Sequence, residues 1–470
     1  MAPPSSSSTP GNGSSKKQAF TYSEGSPSWN PDAYLADAEL HARAEAHLAD
    51  NDLRAAIATS FSLRKTDTYT YHAMVAVTLP QVQHVVSLGA AHGLHSWYFA
   101  EPTTAATPRL PQASTTTTDA DKPADPNPQA PPSRPPAPTV LPPPPQSDIE
   151  AYISIFSPSN AAATALRNFA ANAKKGSLRR EIGAHLTAKR FIHPSLQSLL
   201  SIPRSKPSRP PPPNPYLAFQ AWASRNLEWA GPSPSSARAP RPPSHHVLPI
   251  LMHHFGCVCP SHEALEILRR LAAGREIIDV GSGNGYWTRL LRDYHTYHSP
   301  DTPSKPKSKP QPTDPPPLVT PVDSAQSSWR TTWVRDTTIA DGAAYLRDAR
   351  AGARDAVLLL VYPIVGGGVA GGRAGGFTRD LLAAYAGDTL AVVGTQNRNG
   401  YTGFRDATMD EFMAREHGRE WVRVVQVPLP SFPGKDEALY VFQRGPRAPA
   451  PVDEEMGTPK PIDQGRIENT

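Results

Sequence analysis

The sequence predicts an α/β protein whose folded part is built around a mostly parallel β-sheet, and three observations lead to this prediction. From about residue 245 to residue 445, short apolar runs alternate with amphipathic helical patterns, as expected where crossover helices join parallel strands. One of these runs passes directly into a glycine-rich turn, "EIIDVGSGNGYW". Near the C-terminal end, "WVRVVQVPL" and "ALYVFQR" are separated only by a hairpin-sized loop, which predicts an antiparallel pair.

The N-terminal half is predicted to consist of helical segments separated by proline-rich linkers. Residues 1–30 are rich in Ser, Pro and Gly and are predicted to be disordered. Residues 31–100 are interpreted as a mainly helical accessory region with one strand-like run, "YTYHAMVAVTL". Residues 101–147 predict a proline-rich linker, and 148–243 predict further helical accessory segments with proline-rich spacers. The run Pro142–Pro145 is a candidate ligand for a proline-motif-binding protein.

The elements of residues 245–445 follow one another in a regular order. The predicted helices are "ALEILRRLAA", "YWTRLLRDY", "GAAYLRDAR", "FTRDLLAAYAG" and "MDEFMAREHG". The strands predicted between them are "EIIDV", "PPLVTPVD", "WRTTWVRDTT", "AVLLLVYPIV" and "TLAVVGT", followed by the terminal pair. Residues 299–317 are predicted to be a disordered insert, and 446–470 a disordered tail.

Composition limits the functional classes. The chain has 55 prolines in 470 residues, which is more than twice the average usage of about 5%. The net charge of +5 is scattered along the sequence and does not indicate a nucleic-acid surface. Only two cysteines are present, which excludes a disulfide framework. Because there is no signal-peptide pattern and no long apolar run, we expect an intracellular protein, cytoplasmic or nuclear, without a membrane segment.

The glycine-rich turn is the strongest functional signal. Glycines allow a tight turn and close approach of a ligand, and the following helix offers free N–H groups. The spacing is G-x-G-x-G, so the third glycine comes one residue earlier than in the dinucleotide fingerprint. An acid at the strand end favours a ligand with a cationic amino group over a pyrophosphate, and therefore an amino-acid-bearing nucleoside. The candidate binding residues here are Asp279, Gly281, Ser282, Gly283, Asn284 and Gly285.

A second acid is expected at the end of the next strand, where it can bind a ribose hydroxyl pair. The candidate is Asp323, which lies 38 positions after Gly285. The insert at 299–317 accounts for 19 of these positions and leaves 19, close to the expected spacing of about 20. The alternative is that Asp323 is an ordinary solvated loop acid.

Residues from about 250 to 445 resemble a class I S-adenosylmethionine-dependent methyltransferase, on the basis of "DVGSGNG", Asp323, the alternating elements and the terminal hairpin. The resemblance implies a seven-stranded, Rossmann-like sheet and S-adenosyl-L-methionine as cofactor. It implies that Asp279 and the glycine turn face the methionine moiety, Asp323 the ribose and Asp341 the adenine amino group. Asp341 is equally well placed to cap the helix that follows it. "DVGSGNGYWTRLLR", "LLLVYP" and "GTQNRNGYTGF" are also similar to a fungal group of such proteins, which implies no particular substrate.

The methyl acceptor is expected beyond the carboxyl ends of the fourth and fifth strands. Amino-group methyltransferases that act on nucleic-acid bases or glutamine typically carry Asn/Asp-Pro-Pro-Tyr after the fourth strand, whereas this chain has "VYPI". This departure argues against a nucleic-acid base or glutamine amino group as the acceptor, which stays unknown. A general base is needed only if the acceptor is protonated. The weak candidates for an acceptor-side role are Tyr362, Gln396, Asn397 and Asn399. A packed strand-end residue is the favoured alternative for Tyr362, whereas the amides are denser than one turn needs, which favours a site role for them.

Two further readings stay open beside the methyltransferase. A similar sheet serves NAD(P)-dependent oxidoreductases, although the glycine spacing and the terminal hairpin argue against one. A non-catalytic interaction protein can also keep the fold and use the proline run to bind a partner. We predict no metal site, because C-x-C flanked by histidines is not a standard zinc spacing. The residues weighed as zinc ligands are His253, His254, Cys257, Cys259 and His262.

Overall fold

The computed structural model describes residues 29–73, 76–92, 95–100, 139–206, 208–235, 245–298, 318–364, 375–404 and 406–450. Most residues predicted to be disordered, at 1–30, 101–147, 299–317 and 446–470, lie outside these ranges. The described residues form an α/β structure with fifteen α-helices and an eight-stranded, mixed and mostly parallel sheet, which confirms the predicted class. Among these residues, no helix combines the length and the apolar character that a membrane span requires.

The N-terminal part is mainly helical and contains a short β-hairpin. Its elements are α1 (Pro31–Ala36), α2 (Ala38–Ala49), α3 (Leu53–Phe61), β1 (Thr70–His72), β2 (Ala76–Thr78), α4 (Leu79–Leu88), α5 (Gln146–Ile153), α6 (Ala162–Ala171), α7 (Leu178–Lys189), α8 (Gln197–Leu200) and α9 (Pro215–Asn226). Polar side chains cap several of these helices. Asn30 accepts a hydrogen bond from Asp32 N at 2.8 Å, for example, which satisfies a free N–H at the start of α1.

The proline run 142–145 leads into α5. Just before it, Leu141 N donates to Tyr98 O at 2.9 Å, which fixes the start of the run against the strand-like segment at 98–100. Pro144 is buried, and the other three prolines of the run are exposed. Binding of a proline-motif partner by these exposed prolines stays a prediction.

The remaining elements build the sheet and its covering helices. They are β3 (Phe191–Ile192), α10 (Leu248–Phe255), α11 (His262–Ala272), β4 (Ile277–Val280), α12 (Tyr286–His298), β5 (Val319–Asp323), β6 (Thr338–Ile339), α13 (Gly342–Ala344), β7 (Val357–Val361), α14 (Gly376–Ala384), β8 (Thr389–Thr395), α15 (Met409–His417), β9 (Val422–Pro428) and β10 (Glu437–Gln443). The strand order is β3-β9-β10-β8-β7-β4-β5-β6. The five strands from β8 to β6 are parallel, and β10 runs antiparallel to both of its neighbours.

The strand order places a topological switch point at the centre of the sheet. From β4 the chain moves outward through β5 and β6, and it then returns to β7 on the opposite side of β4. The two crossovers therefore leave the carboxyl ends of β4 and β7 in opposite directions. In open α/β sheets this separation creates the crevice in which ligands bind.

Two details of the sheet differ from the sequence prediction. The sheet has eight strands rather than seven, because Phe191–Ile192 pairs antiparallel with Gln426 and Val425 of β9 and covers an edge that would otherwise be open. The predicted strand "WRTTWVRDTT" is wrong, since only Thr338–Ile339 pairs with β5. Several residues before Thr338 do not pair with a strand but are buried; Trp333, for example, is 1% exposed.

Both faces of the sheet are buried. Successive residues of a strand point to opposite faces, so Ile277 and Leu359 join one hydrophobic core and Ile278 and Leu358 join the other. The second core is completed by side chains of α13, α14 and α15. The first core contains side chains of α10, α11 and α12 together with those of the N-terminal helices. The N-terminal part therefore shares a core with the sheet.

Candidate functional site

The glycine-rich turn lies at the carboxyl end of β4, at the switch point of the sheet. Gly281, Gly283 and Gly285 have φ values of +76°, +57° and +79°, a region that favours glycine. Gly281 N donates to Val322 O at 2.8 Å, which ties the start of the turn to β5. Gly285 N donates to Ser282 O at 3.0 Å and closes the turn just before α12. The glycines are therefore required by the backbone itself.

Asp279, in β4 just before the turn, is the most unusual side chain here. It is fully buried at 0% exposure, and its Oδ2 accepts a hydrogen bond of 2.6 Å from Thr288 Oγ1 on α12. Its Oδ1 is also buried, and it has no hydrogen-bond partner among the described residues. Burial, and in smaller part the charge of Asp323, raises the pKa of Asp279 to about 7. A buried acceptor is normally hydrogen-bonded, so this oxygen is available to a donor from outside the described residues, such as a ligand or a water.

Asp323 reaches the same turn from the end of β5. Its Oδ2 accepts from Gly283 N at 2.9 Å, and its Oδ1 accepts from Ala325 N at 2.7 Å. Each carboxylate oxygen can accept a second hydrogen bond, so both keep capacity for a ribose hydroxyl. Ser282, also in the turn, has a buried hydroxyl without a partner among the described residues. The structure therefore brings the two predicted acids together across one turn.

Asn284 and Asp341 have structural roles that are visible in the structure. Asn284 is 3% exposed; its Nδ2 donates to His254 O at 3.2 Å, and its Oδ1 accepts from Tyr286 N at 3.3 Å. Asp341 caps α13 through a bond of 2.8 Å from Ala344 N to its Oδ1. Contact between Asp341 and an adenine stays a prediction, and its other oxygen is the atom left for it.

Aromatic and branched side chains cover the turn. A Cβ built on Gly283 would lie 2.9 Å from Trp329, and one built on Gly285 would lie 2.4 Å from Val334. Both covering residues belong to the segment between β5 and β6. A Cβ on Gly281 would meet Phe377 at 3.6 Å, which is ordinary contact. The turn is thus packed most tightly on the side of the β5–β6 segment.

His254 connects the N-terminal hairpin to the glycine turn and to the β5–β6 segment that covers it. The two ring nitrogens of His254 lie 3.0 Å from the Tyr71 hydroxyl and 2.8 Å from Thr331 Oγ1. The His254 carbonyl oxygen accepts from Asn284 and also from Trp333 Nε1, the latter at 2.7 Å. Burial lowers the pKa of His254 well below its ordinary value, so the ring is neutral. One buried residue thus joins the hairpin, the glycine turn and its covering segment.

Four of the five residues weighed as zinc ligands form hydrogen bonds with protein groups, namely His253, His254, Cys259 and His262. His253 lies 2.7 Å from the His72 carbonyl oxygen, and His262 Nδ1 lies 2.9 Å from the Tyr294 hydroxyl. Burial raises the pKa of the Cys257 thiol to about 11, which disfavours the thiolate that binds metals. In the part of the chain that the structure describes, no group of three or more His, Cys, Asp or Glu side chains can hold a metal ion.

The predicted acceptor end carries a buried group of titratable side chains. Tyr362, the residue after β7, has a φ of +50°, which is strained for a tyrosine. Its hydroxyl donates to Glu437 Oε1 at 3.0 Å, at the start of β10. Lys435 Nζ lies 2.6 Å from the centroid of the Tyr401 ring. Binding of the acceptor near Tyr362 stays a prediction. The structure places three further side chains beside Tyr362, namely Lys435, Glu437 and Tyr401.

The three amide candidates after β8 hold the β9–β10 loop in place. Gln396 Nε2 donates to Asp436 Oδ1 at 3.0 Å. Asn397 and Asn399 donate to the Gly434 carbonyl oxygen at 3.5 and 3.1 Å. These contacts account for the density of amides, and an acceptor-side role for them stays a prediction.

A wide cavity of about 730 Å³ lies elsewhere, between the α2–α3 turn, α4 and the end of α9. It is lined by charged and polar residues such as Asp50, Arg54 and Glu228. It is open to solvent, and none of its lining residues belongs to the glycine turn, which stays the candidate site.

Sequence reasoning missed Thr288, Trp329, Lys435 and Glu437. Thr288 lies nine residues after Asp279 in the first turn of α12, a spacing that can be recognised once the strand end is known. The other three carry no local signal, because loop composition does not reveal burial.

No protein-family model matches the sequence, and no curated protein matches it.

Proposed function

We propose that the protein transfers a methyl group from S-adenosyl-L-methionine to an acceptor. The observation that carries this proposal is the position of Asp279. It lies at the switch point of a mostly parallel sheet, with one buried carboxylate oxygen that has no partner among the described residues. The amino group of a bound methionine moiety would supply the missing donor, and an ionised Asp279 would match its positive charge.

The neighbouring residues support a nucleoside in the same crevice. Asp323 presents two carboxylate oxygens beside Gly283, and a ribose diol offers two hydroxyl donors to such a pair. A dinucleotide is a poorer match, because its pyrophosphate would approach the carboxylates of Asp279 and Asp323. The position of β10, antiparallel between β8 and β9, also distinguishes this sheet from the parallel order of a standard dinucleotide-binding domain.

When bound, the cofactor would supply a methyl group on a sulfonium, whose carbon an acceptor can attack in line as the thioether sulfur leaves. Asp279 and the turn would hold its methionine part and Asp323 its ribose. The protein contributes orientation and exclusion of water, the main requirements of such a displacement. Covering side chains such as Trp329 and Val334 close one side of the turn.

The test is calorimetric titration of the full chain, because the N-terminal helices share a core with the sheet. S-Adenosylmethionine, S-adenosylhomocysteine and NAD are titrated separately under the same conditions. We expect binding of both sulfur nucleosides and no binding of NAD. Binding of NAD alone would favour an oxidoreductase, and a folded chain that binds none of the three would favour an interaction protein.

A further inference from the structure

Lys435 lies in an environment that is unusual for a lysine. It is 6% exposed, and no carboxylate in the described part of the chain forms an ion pair with it. Lysine is seldom buried to this degree without a partner. Its Nζ instead sits over the face of the Tyr401 ring, with the Tyr362 ring centroid 6.0 Å away. The amine therefore lies against the Tyr401 ring, and the Tyr362 ring is a more distant neighbour.

This environment favours the uncharged form of the amine. Burial lowers the pKa of Lys435 to about 7, although the nearby Glu437 and Cys257 oppose the shift. A large fraction of the side chain is therefore a free amine near neutral pH, and a free amine is a nucleophile. The charged and titratable groups that face Lys435 are Glu437, Cys257, Tyr362, Tyr401 and His245.

The amine lies at the edge of the sheet where the acceptor is expected. Tyr362 follows β7, and Glu437 pairs with Thr395 at the carboxyl end of β8. Cys257, whose ionisation Lys435 affects, follows Gly256. A Cβ built on Gly256 would lie 3.2 Å from Asn284 Oδ1 in the glycine turn. Lys435 and the glycine turn are therefore both neighbours of the short segment 256–257.

We propose that Lys435 is itself a methylation site of this protein, modified by its own methyltransferase activity. The inference rests on the proposed function. The Nζ lone pair forms a bond to the methyl carbon, the carbon–sulfur bond breaks, and its electron pair stays on sulfur, which becomes a thioether. The positive charge moves to nitrogen as a secondary ammonium, which can then lose a proton to water. The face of Tyr401 would stabilise the methylated cation.

In the primary experiment the full chain is incubated with S-adenosylmethionine and digested. The masses of the lysine-containing peptides are then measured by mass spectrometry. We expect the mass increase of one methylation in the peptide that contains Lys435. The peptide that contains the exposed Lys174 should show no increase. The modification should be lost in Lys435→Met and when S-adenosylhomocysteine replaces the donor. Lys435→Arg is a second variant that keeps a long cationic side chain if Lys435→Met fails to fold.

A second readout needs no cofactor. The untreated protein is treated with an amine-labelling reagent at a series of pH values. Labelling of Lys435 should be half of its maximum near pH 7, and labelling of Lys174 should reach half of its maximum at a higher pH. An ordinary labelling profile at Lys435 would overturn the argument for a free amine. Cofactor binding measured by calorimetry, with Lys435 left unmodified, would overturn self-methylation and leave the proposed function standing. Absence of cofactor binding would overturn both.

Discussion

Replacement of Asp279 by asparagine should remove a pH-dependent loss of stability from the ligand-free protein. The change keeps the shape of the side chain and an oxygen that can accept from Thr288, whose hydroxyl lies 2.6 Å from Asp279 Oδ2. It removes only the carboxyl group that burial disfavours in its charged form. The comparison therefore isolates the energetic effect of ionising one buried acid beneath the glycine turn.

The magnitude follows from the pKa of Asp279, which burial raises from 3.8 to about 7. A carboxyl group with a raised pKa contributes stability that is fully present below the unfolded pKa and is lost as pH rises through the folded pKa. At about 1.4 kcal/mol for each pKa unit, the whole loss is about 4 kcal/mol. About 2.5 kcal/mol of it falls between about pH 5 and about pH 8.

The assay is urea unfolding of the wild type and Asp279→Asn at both pH values. Other buried groups also titrate, so the informative quantity is the difference between the two proteins. We expect Asp279→Asn to gain about 2.5 kcal/mol relative to the wild type as pH rises across this range. A difference that does not change with pH would refute the raised pKa of this buried carboxyl group.

The remaining predictions concern Asp323 and the glycine turn. Asp323→Ala should weaken S-adenosylmethionine binding at least about tenfold, because hydrogen bonds to a charged group contribute about 1.5–3 kcal/mol; calorimetry that shows unchanged affinity would contradict this role. Gly285→Ala should lower the melting temperature clearly, since φ is +79° and the new Cβ would lie 2.4 Å from Val334. Gly274→Ala is the matched control, with φ of +82° and nothing within 4 Å, and should cost only about 1 kcal/mol. Equal losses in the two variants would rule out tight packing at Gly285.

Local signals in the sequence were sufficient to predict the secondary structure around the candidate site. A buried strand, a glycine turn and a helix follow directly in "EIIDVGSGNGYW", and they form β4, the turn and α12. The insert at 299–317 hides the spacing to Asp323, yet discounting it placed that acid at the end of β5. The strands β9 and β10 were also predictable from local signals. Each strand pattern is uninterrupted in the sequence, and the loop between the two is short.

Features that depend on distant contacts were not predictable. Strand β3 has only two residues, and it exists because β9, more than 200 positions later, offers an open edge. Proline-rich composition suggested that the N-terminal segments stand apart, whereas their apolar side chains complete a core under the sheet. Lys435 lies in a loop that reads as polar, and its burial arises from Tyr362 and Tyr401 on other loops.

Hydrogen exchange of the full chain with saturating S-adenosylhomocysteine tests the central claim most directly. A ligand held by Asp279, the glycine turn and Asp323 should slow exchange in the peptides that span 279–286 and 323–325 and leave the α6–α7 region unchanged. NAD at the same concentration should have no such effect. Binding of S-adenosylhomocysteine with protection only in other parts of the chain would contradict the proposed site.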